Sequence, residues 1–190
     1  MRNGIDPKNP RQFLMLVGML VVLGICVQLS SSYLLNLVLS MLPRLSEQYQ
    51  EMLGGLLEGD FNTYMAVFFI APVVEEVVFR LLILRLGSRY IPFWIMNIIQ
   101  GVLFGIYHGN IVQGVYAFIL GMLLGYVLMA TGVLISSIIV HMSINITGVL
   151  MQRIPLIAQG TSPAIPVIAL LSLLLGGAII FSFTRRRGES

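Results

Sequence analysis

Charge is what this sequence has least of. Asp, Glu, Lys and Arg make up 10% of its 190 residues against 57% hydrophobic residues, and the mean hydropathy is +0.94. An ordinary soluble domain carries about 25% charged residues. So thin a supply excludes a solvated globular surface, and the chain reads as a polytopic membrane protein. Nor is any polar block large enough for a second unit, so residues 1–190 are expected to form one membrane domain. The single cysteine, Cys26, excludes an intrachain disulfide and is silent on redox compartment. No A-x-A cleavage pattern accompanies the first apolar run, which exceeds the roughly 7 to 15 residues of a signal h-region and is expected to be a retained helix. Without an internal repeat or paired broken helices, a proton-coupled transporter is disfavoured. The formal charge of +3 and pI near 9.3 do not mark a nucleic-acid surface, because the basic residues sit at the ends of apolar stretches, where membrane topology accounts for them.

What is present is a series of apolar stretches. A spanning helix needs about 20 mostly apolar residues. Six stretches approach that length: Phe13 to Leu39, Phe61 to Leu84, Ile91 to His108, Ile111 to Ala130, Val133 to Met151 and Ile165 to Phe183. The expected architecture is an all-α bundle of about six transmembrane helices in a cell membrane. One side would receive Arg2, Lys8, Arg11, Arg85, Arg89 and the Arg185 to Arg187 triplet, the other only Arg44 and Arg153, which predicts cytoplasmic termini. The segment from Ser40 to Asp60, with Glu47, Glu51, Glu58 and Asp60, has two readings: a solvated connector or a short amphipathic helix. Pro155, Pro163 and Pro166 mark the last outer loop and the entry to the sixth stretch. Ser30 to Ser32 and Gly101, Gly105, Gly121 and Gly125 read as small residues that let helices approach closely.

A few polar residues break the pattern. Glu75, Glu76 and Arg80 fall inside the second stretch, where an ionised group costs about 2.5 to 3.5 kcal/mol at the bilayer centre on insertion scales. Glu76 and Arg80, one turn apart, predict an ion pair. Glu75 points to a neighbouring face and needs a donor from another helix, while Pro72 upstream predicts a kink that admits water. His108 closes the third stretch. His141 and Asn145 share one face of the fifth, either as interhelical glue or as chemistry. The chain has only two histidines, and both lie on apolar segments together with an isolated carboxylate and an amide. Carboxylate and imidazole activate water, and imidazole and amide donate to an oxyanion, so the set is suited to hydrolysis. Counting from the cytoplasmic boundaries puts Glu75 about 15 Å deep and His141 about 14 Å, but His108 about 25 Å. That predicts a turn at Gly109 and Asn110 set below the outer surface and covered by protein.

These residues spell E-E-x-x-x-R (Glu75, Glu76, Arg80), F-x-x-x-H (Phe104, His108) and H-x-x-x-N (His141, Asn145). In order and on successive apolar segments, they resemble the CAAX protease and bacteriocin-processing family of intramembrane proteases, which includes the type II CAAX prenyl endopeptidases. The motif-bearing core spans about residues 61–151. The resemblance implies that Glu75 is the general base, that His108 assists the water, and that His141 and Asn145 stabilise the oxyanion. Glu76 and Arg80 would hold the helix, and Phe104 would pack beside the site. It also implies a protein or peptide substrate in the bilayer, either a prenylated C-terminal tail or a bacteriocin or pheromone precursor. A metal-free mechanism is favoured over zinc, whose ligands would be Glu75, His108 and His141, because H-E-x-x-H is absent and that ligand set leaves no base but Glu76. The competing reading is a non-catalytic bacteriocin-immunity or membrane scaffold protein that keeps the polar cluster for packing.

Overall fold

The structure is a computed structural model that describes residues 9–154 and 164–188, with side chains through residue 182. Arg2, Lys8, Pro155, Pro163 and the side chains of Arg185, Arg186 and Arg187 lie outside that description. The described residues are helical throughout, joined by short turns and without strands. Helix α1 is Pro10–Leu39 and α2 is Pro43–Leu57; α3 runs continuously over residues 61–87. Then follow α4 (Phe93–Tyr107), α5 (Ile111–Thr131), α6 (Leu134–Gln152) and α7 (Ala164–Gly188).

Helix starts follow from local chemistry. Asn9 accepts from the backbone N–H groups of Arg11 and Gln12, with Pro10 at the position where a missing N–H costs nothing. Asn110 caps α5 by accepting from Val112 and Gln113 at 2.9 and 3.1 Å. Asp60 caps α3 by accepting from the N–H and the hydroxyl of Thr63, both at 2.9 Å, and these bonds hold its carboxyl below the usual carboxylate range. Helix α5 stops at Gly132, whose φ of 75° is the left-handed cap geometry that favours glycine.

Among the described residues, four helices are long and apolar enough to cross a membrane: α1, α5, α6 and Ala164–Ser182 within α7. The expected stretch at Ile91 to His108 is the shorter apolar helix α4. Leu170, Leu171, Leu173 and Leu174 of α7 are more than half exposed, as are Leu14 and Leu34 of α1. So broad an apolar exterior is a liability in water and ordinary in lipid.

The main core lies where α1, α5, α6 and α7 meet, around Leu20, Leu23, Leu124, Val127, Val140 and Ile179. Gly24 makes the α1–α6 approach possible, since a Cβ there would come within 2.5 Å of the Ser143 Cβ and 2.7 Å of the Val140 carbonyl. The α4–α5 pair is closer still. A Cβ on Gly105 would meet the Gly114 carbonyl at 2.6 Å, and one on Gly125 would overlap the Asn97 side chain. The close packing expected of these glycines is therefore present.

Between Ser40 and Asp60 the amphipathic-helix reading prevails. Glu47 and Glu51 on α2 face outward, whereas Tyr49, Leu53, Leu56 and Leu57 face a cavity described below. Arg153, at the end of α6, ties α2 down by donating to the Leu57 carbonyl at 2.9 Å and bonding the Tyr64 hydroxyl.

Candidate active site

The site is built on an irregular helix. Helix α3 widens to π-helical winding over Ala66–Ile70, tightens over Ala71–Glu75 and widens again over Glu76–Arg85. Pro72, which brings no N–H, sits at the first of these changes back to α-helical winding. Wider turns separate successive side chains by a smaller angle, and such turns recur at functional sites. Glu75 and Glu76 straddle the second change, so both carboxylates reach the same partner on α6. That partner is His141: its Nδ1 lies 2.8 Å from Glu76 Oε1 and its Nε2 lies 3.6 Å from Glu75 Oε2.

Glu76 and Arg80 are both fully buried and form the expected i, i+4 ion pair, with Arg80 Nη1 at 3.3 Å from the same Oε1 that faces His141. Glu75 meets His141 Nε2 only at 3.6 Å, beyond hydrogen-bond range, whereas Glu76 has two cationic or donating partners rather than one. Arg80 is further enclosed by the ring of Phe104, 4.3 Å from its guanidinium carbon, and by the Gly121 carbonyl of α5 at 3.5 Å. Gln100 donates to that same carbonyl at 2.9 Å. Phe104 also sets its edge against both imidazoles, with ring centres 4.7 Å from His108 and 5.9 Å from His141.

Protonation follows from the partners. A carboxylate and a backbone carbonyl accept only, so His141 Nδ1 donates to Glu76, and His108 Nδ1 donates to the Phe104 carbonyl at 2.8 Å. In each ring Nε2 is left for other chemistry. Asn145 donates one N–H to the Val67 carbonyl in the first widened turn of α3, at 2.9 Å, and keeps a second.

Glu75, His108, His141 and Asn145 all line one cavity of about 270 Å³. Its remaining wall comes from α1 (Gln28), α2 (Tyr49, Leu53, Leu56, Leu57), α5 (Gln113, Tyr116) and the end of α6 (Gly148, Gln152). His108 therefore joins the other three in one cavity, whatever difference in depth residue counting implies. The turn after it departs from the expectation in one respect: Gly109, at φ 67°, is exposed rather than covered. Its polar groups are satisfied internally instead. Gly109 N–H donates to Ile106, Gly114 N–H to Asn110, and the Asn110 side chain takes the next two donors.

Among the described residues, no three His, Cys, Asp or Glu side chains are grouped so as to hold a metal ion. Glu75, His108 and His141 share the cavity without converging as ligands, and one nitrogen of His141 is committed to Glu76.

Residues 59–147 match the family model described as type II CAAX prenyl endopeptidase Rce1-like. Over that segment, just under half of its length, the chain is similar to the Rce1-like family. The match takes in α3 to most of α6, with every motif residue that lines the cavity, and leaves out α1, α2 and α7. No curated protein and no solved structure matches the chain. The Rce1-like segment supplies all four of Glu75, His108, His141 and Asn145, whereas Gln28 and Tyr49 reach the cavity from outside it. Sequence reasoning passed over Gln28 and Tyr116. The signal for Gln28 was an amide in an apolar run, shared there with Asn36; for Tyr116 there was none, since a tyrosine in a membrane helix is unremarkable by composition.

Proposed function

We propose that the protein is an intramembrane endopeptidase that hydrolyses a peptide bond of a membrane-associated protein or peptide in the cavity holding Glu75, His108, His141 and Asn145. The observation that carries this reading is that three helices deliver the Glu75 carboxylate, the His108 and His141 imidazoles and the Asn145 carboxamide to a single cavity. Six membrane-crossing helices with both termini in the cytoplasm complete the picture, α3 and α4 joining α1, α5, α6 and α7.

In the reaction, Glu75 takes a proton from a water held against His108 Nε2, and the resulting hydroxide oxygen attacks the scissile carbonyl carbon. The second N–H of Asn145 donates to the developing oxyanion, as does His141 Nε2–H when the ring enters the reaction as imidazolium, having taken its second proton from solvent beforehand and keeping it throughout. Collapse of the tetrahedral intermediate breaks the C–N bond, and the proton on Glu75 passes to the departing amine. Glu76 and Arg80 stay out of the proton traffic: Glu76 fixes the His141 ring and Arg80 holds Glu76. No step needs a metal ion. Substrates of the class in the family name, prenylated CAAX tails, are the first candidates, with bacteriocin or pheromone precursors next.

The reading of the protein as a non-catalytic immunity or scaffold protein draws on the Glu76–His141–Arg80 network, which would serve packing alone equally well. One experiment separates the two. Purified protein in nanodiscs is incubated with a prenylated CAAX reporter peptide and a library of apolar-flanked peptides, and products are identified by mass spectrometry. Cleavage by the wild type and none by Glu75→Gln is expected. Equal product from both, or none from either, ends the proteolytic reading.

A further inference from the structure

We propose that Gln28 of α1, positioned by Tyr116 of α5, is a substrate-binding residue that hydrogen-bonds the backbone of a residue flanking the scissile bond. The inference rests on the proteolytic reading of the cavity and adds a contact from a helix outside the family-matched segment.

Three observations place it. Gln28 and Tyr116 line the same cavity as the four hydrolytic side chains. The Gln28 amide is fixed from both ends: its Oε1 accepts from the Tyr116 hydroxyl, and its Nε2 donates to Ser32 Oγ at 2.8 Å. Finally, α6 leaves room for it at Gly148, where a Cβ would come within 3.0 Å of Gln28 Nε2. That glycine sits three residues beyond Asn145 on the helix that also carries His141.

A glutamine in an apolar helix is expensive unless its amide is used. Here Tyr116 and Ser32 take one lone pair and one N–H, leaving one of each at the cavity wall. That is what one residue of an extended chain presents in complement, its own N–H and C=O lying on the same side. A substrate entering a wet pocket from lipid must exchange its backbone partners for new ones, and an oriented amide supplies both at once. Such a contact acts alike on ground state and transition state, so its loss falls on KM more than on kcat.

The test uses the full chain in nanodiscs with a dye-labelled prenylated CAAX peptide. Turnover is measured for the wild type, Gln28→Met and Tyr116→Phe. Binding of the same peptide is measured by anisotropy on each of these changes placed in a Glu75→Gln background, where hydrolysis does not interfere. The expected result is a rise of roughly 2- to 12-fold in both KM and Kd for Gln28→Met, the worth of one neutral hydrogen bond, and a rise in the same direction for Tyr116→Phe. If Gln28→Met does not fold, as judged by size exclusion and melting, Tyr116→Phe decides alone. Unchanged Kd in the folded variants, with the wild type active, overturns the role of Gln28 and leaves the proteolytic reading intact. A wild type that neither binds nor cleaves the peptide removes both.

Discussion

At the scale of single residues, the proposed mechanism separates groups that react from groups that hold. Glu75 has no committed hydrogen-bond partner, being 3.6 Å from His141, so Glu75→Gln should remove cleavage by at least about 100-fold, as loss of a general base does, with little change in Tm. His141→Ala should remove activity as well but also destabilise, by about 1 to 3 kcal/mol, because the buried Glu76 carboxylate loses a donor at 2.8 Å. Parallel activity assays and thermal melts distinguish the two; equal Tm losses would contradict the partition. Arg80→Met tests the other side of Glu76. Both members of that pair are wholly buried, and removing one partner of such a pair costs about 3 to 5 kcal/mol. Poor folding is therefore expected of Arg80→Met, and a stable, active variant would show that Glu76 does not need its cation.

At the scale of helices, stability depends on where backbones touch. Gly24→Ala would drive a Cβ into Ser143 and the Val140 carbonyl, and overpacking of this kind costs about 1 to 3 kcal/mol. Gly18, six residues earlier on the same helix, has nothing within 4 Å of an added Cβ. Gly18→Ala should thus be neutral or raise stability by about 0.5 to 1 kcal/mol through helix propensity alone, and thermal melts of the pair check the contrast. At the entry to α3, the bonds from Thr63 depress the Asp60 carboxyl below its ordinary value near 3.9. The sign follows directly: the cap's contribution is complete above that value and is lost as pH falls through the depressed one. Melting curves between pH 7 and pH 3 should show a loss at the acid end in the wild type that Asp60→Ala lacks.

At the scale of the molecule, the cavity is enclosed by parts that differ in origin. The family-matched residues supply the four side chains of the proposed reaction, while α1 and α2 close the wall. With no clustered metal-ligand set among the described residues, cleavage should be unchanged within about twofold by 1,10-phenanthroline or EDTA, since removing a true catalytic zinc abolishes its activated water. A chelator-sensitive activity restored by zinc would revise the mechanism. Much of this organisation was legible beforehand. Hydropathy located the helices to within a few residues, because in lipid an apolar run of sufficient length has no stable alternative to helix. The ion pair of Glu76 with Arg80 was legible from spacing, as were the four side chains of the cavity from their motifs. Gln28, Tyr116 and the inward face of α2 were not, because partners 88 residues apart, such as Tyr116 and Gln28, leave no local periodicity to read.

The sequence by itself determined the membrane character, the helical segments and the types of residue available for chemistry, since these follow from composition and from the bilayer's demand for internally satisfied backbone. Only the tertiary structure decided that His141 joins Glu75 to Glu76, that the Gly109 turn lies exposed with its donors capped, and that α1 and α2 complete the cavity. The reason is the winding of α3. A departure from α-helical geometry at Glu76 depends on packing against α4, α5 and α6, and a count at a fixed angle per residue does not contain it.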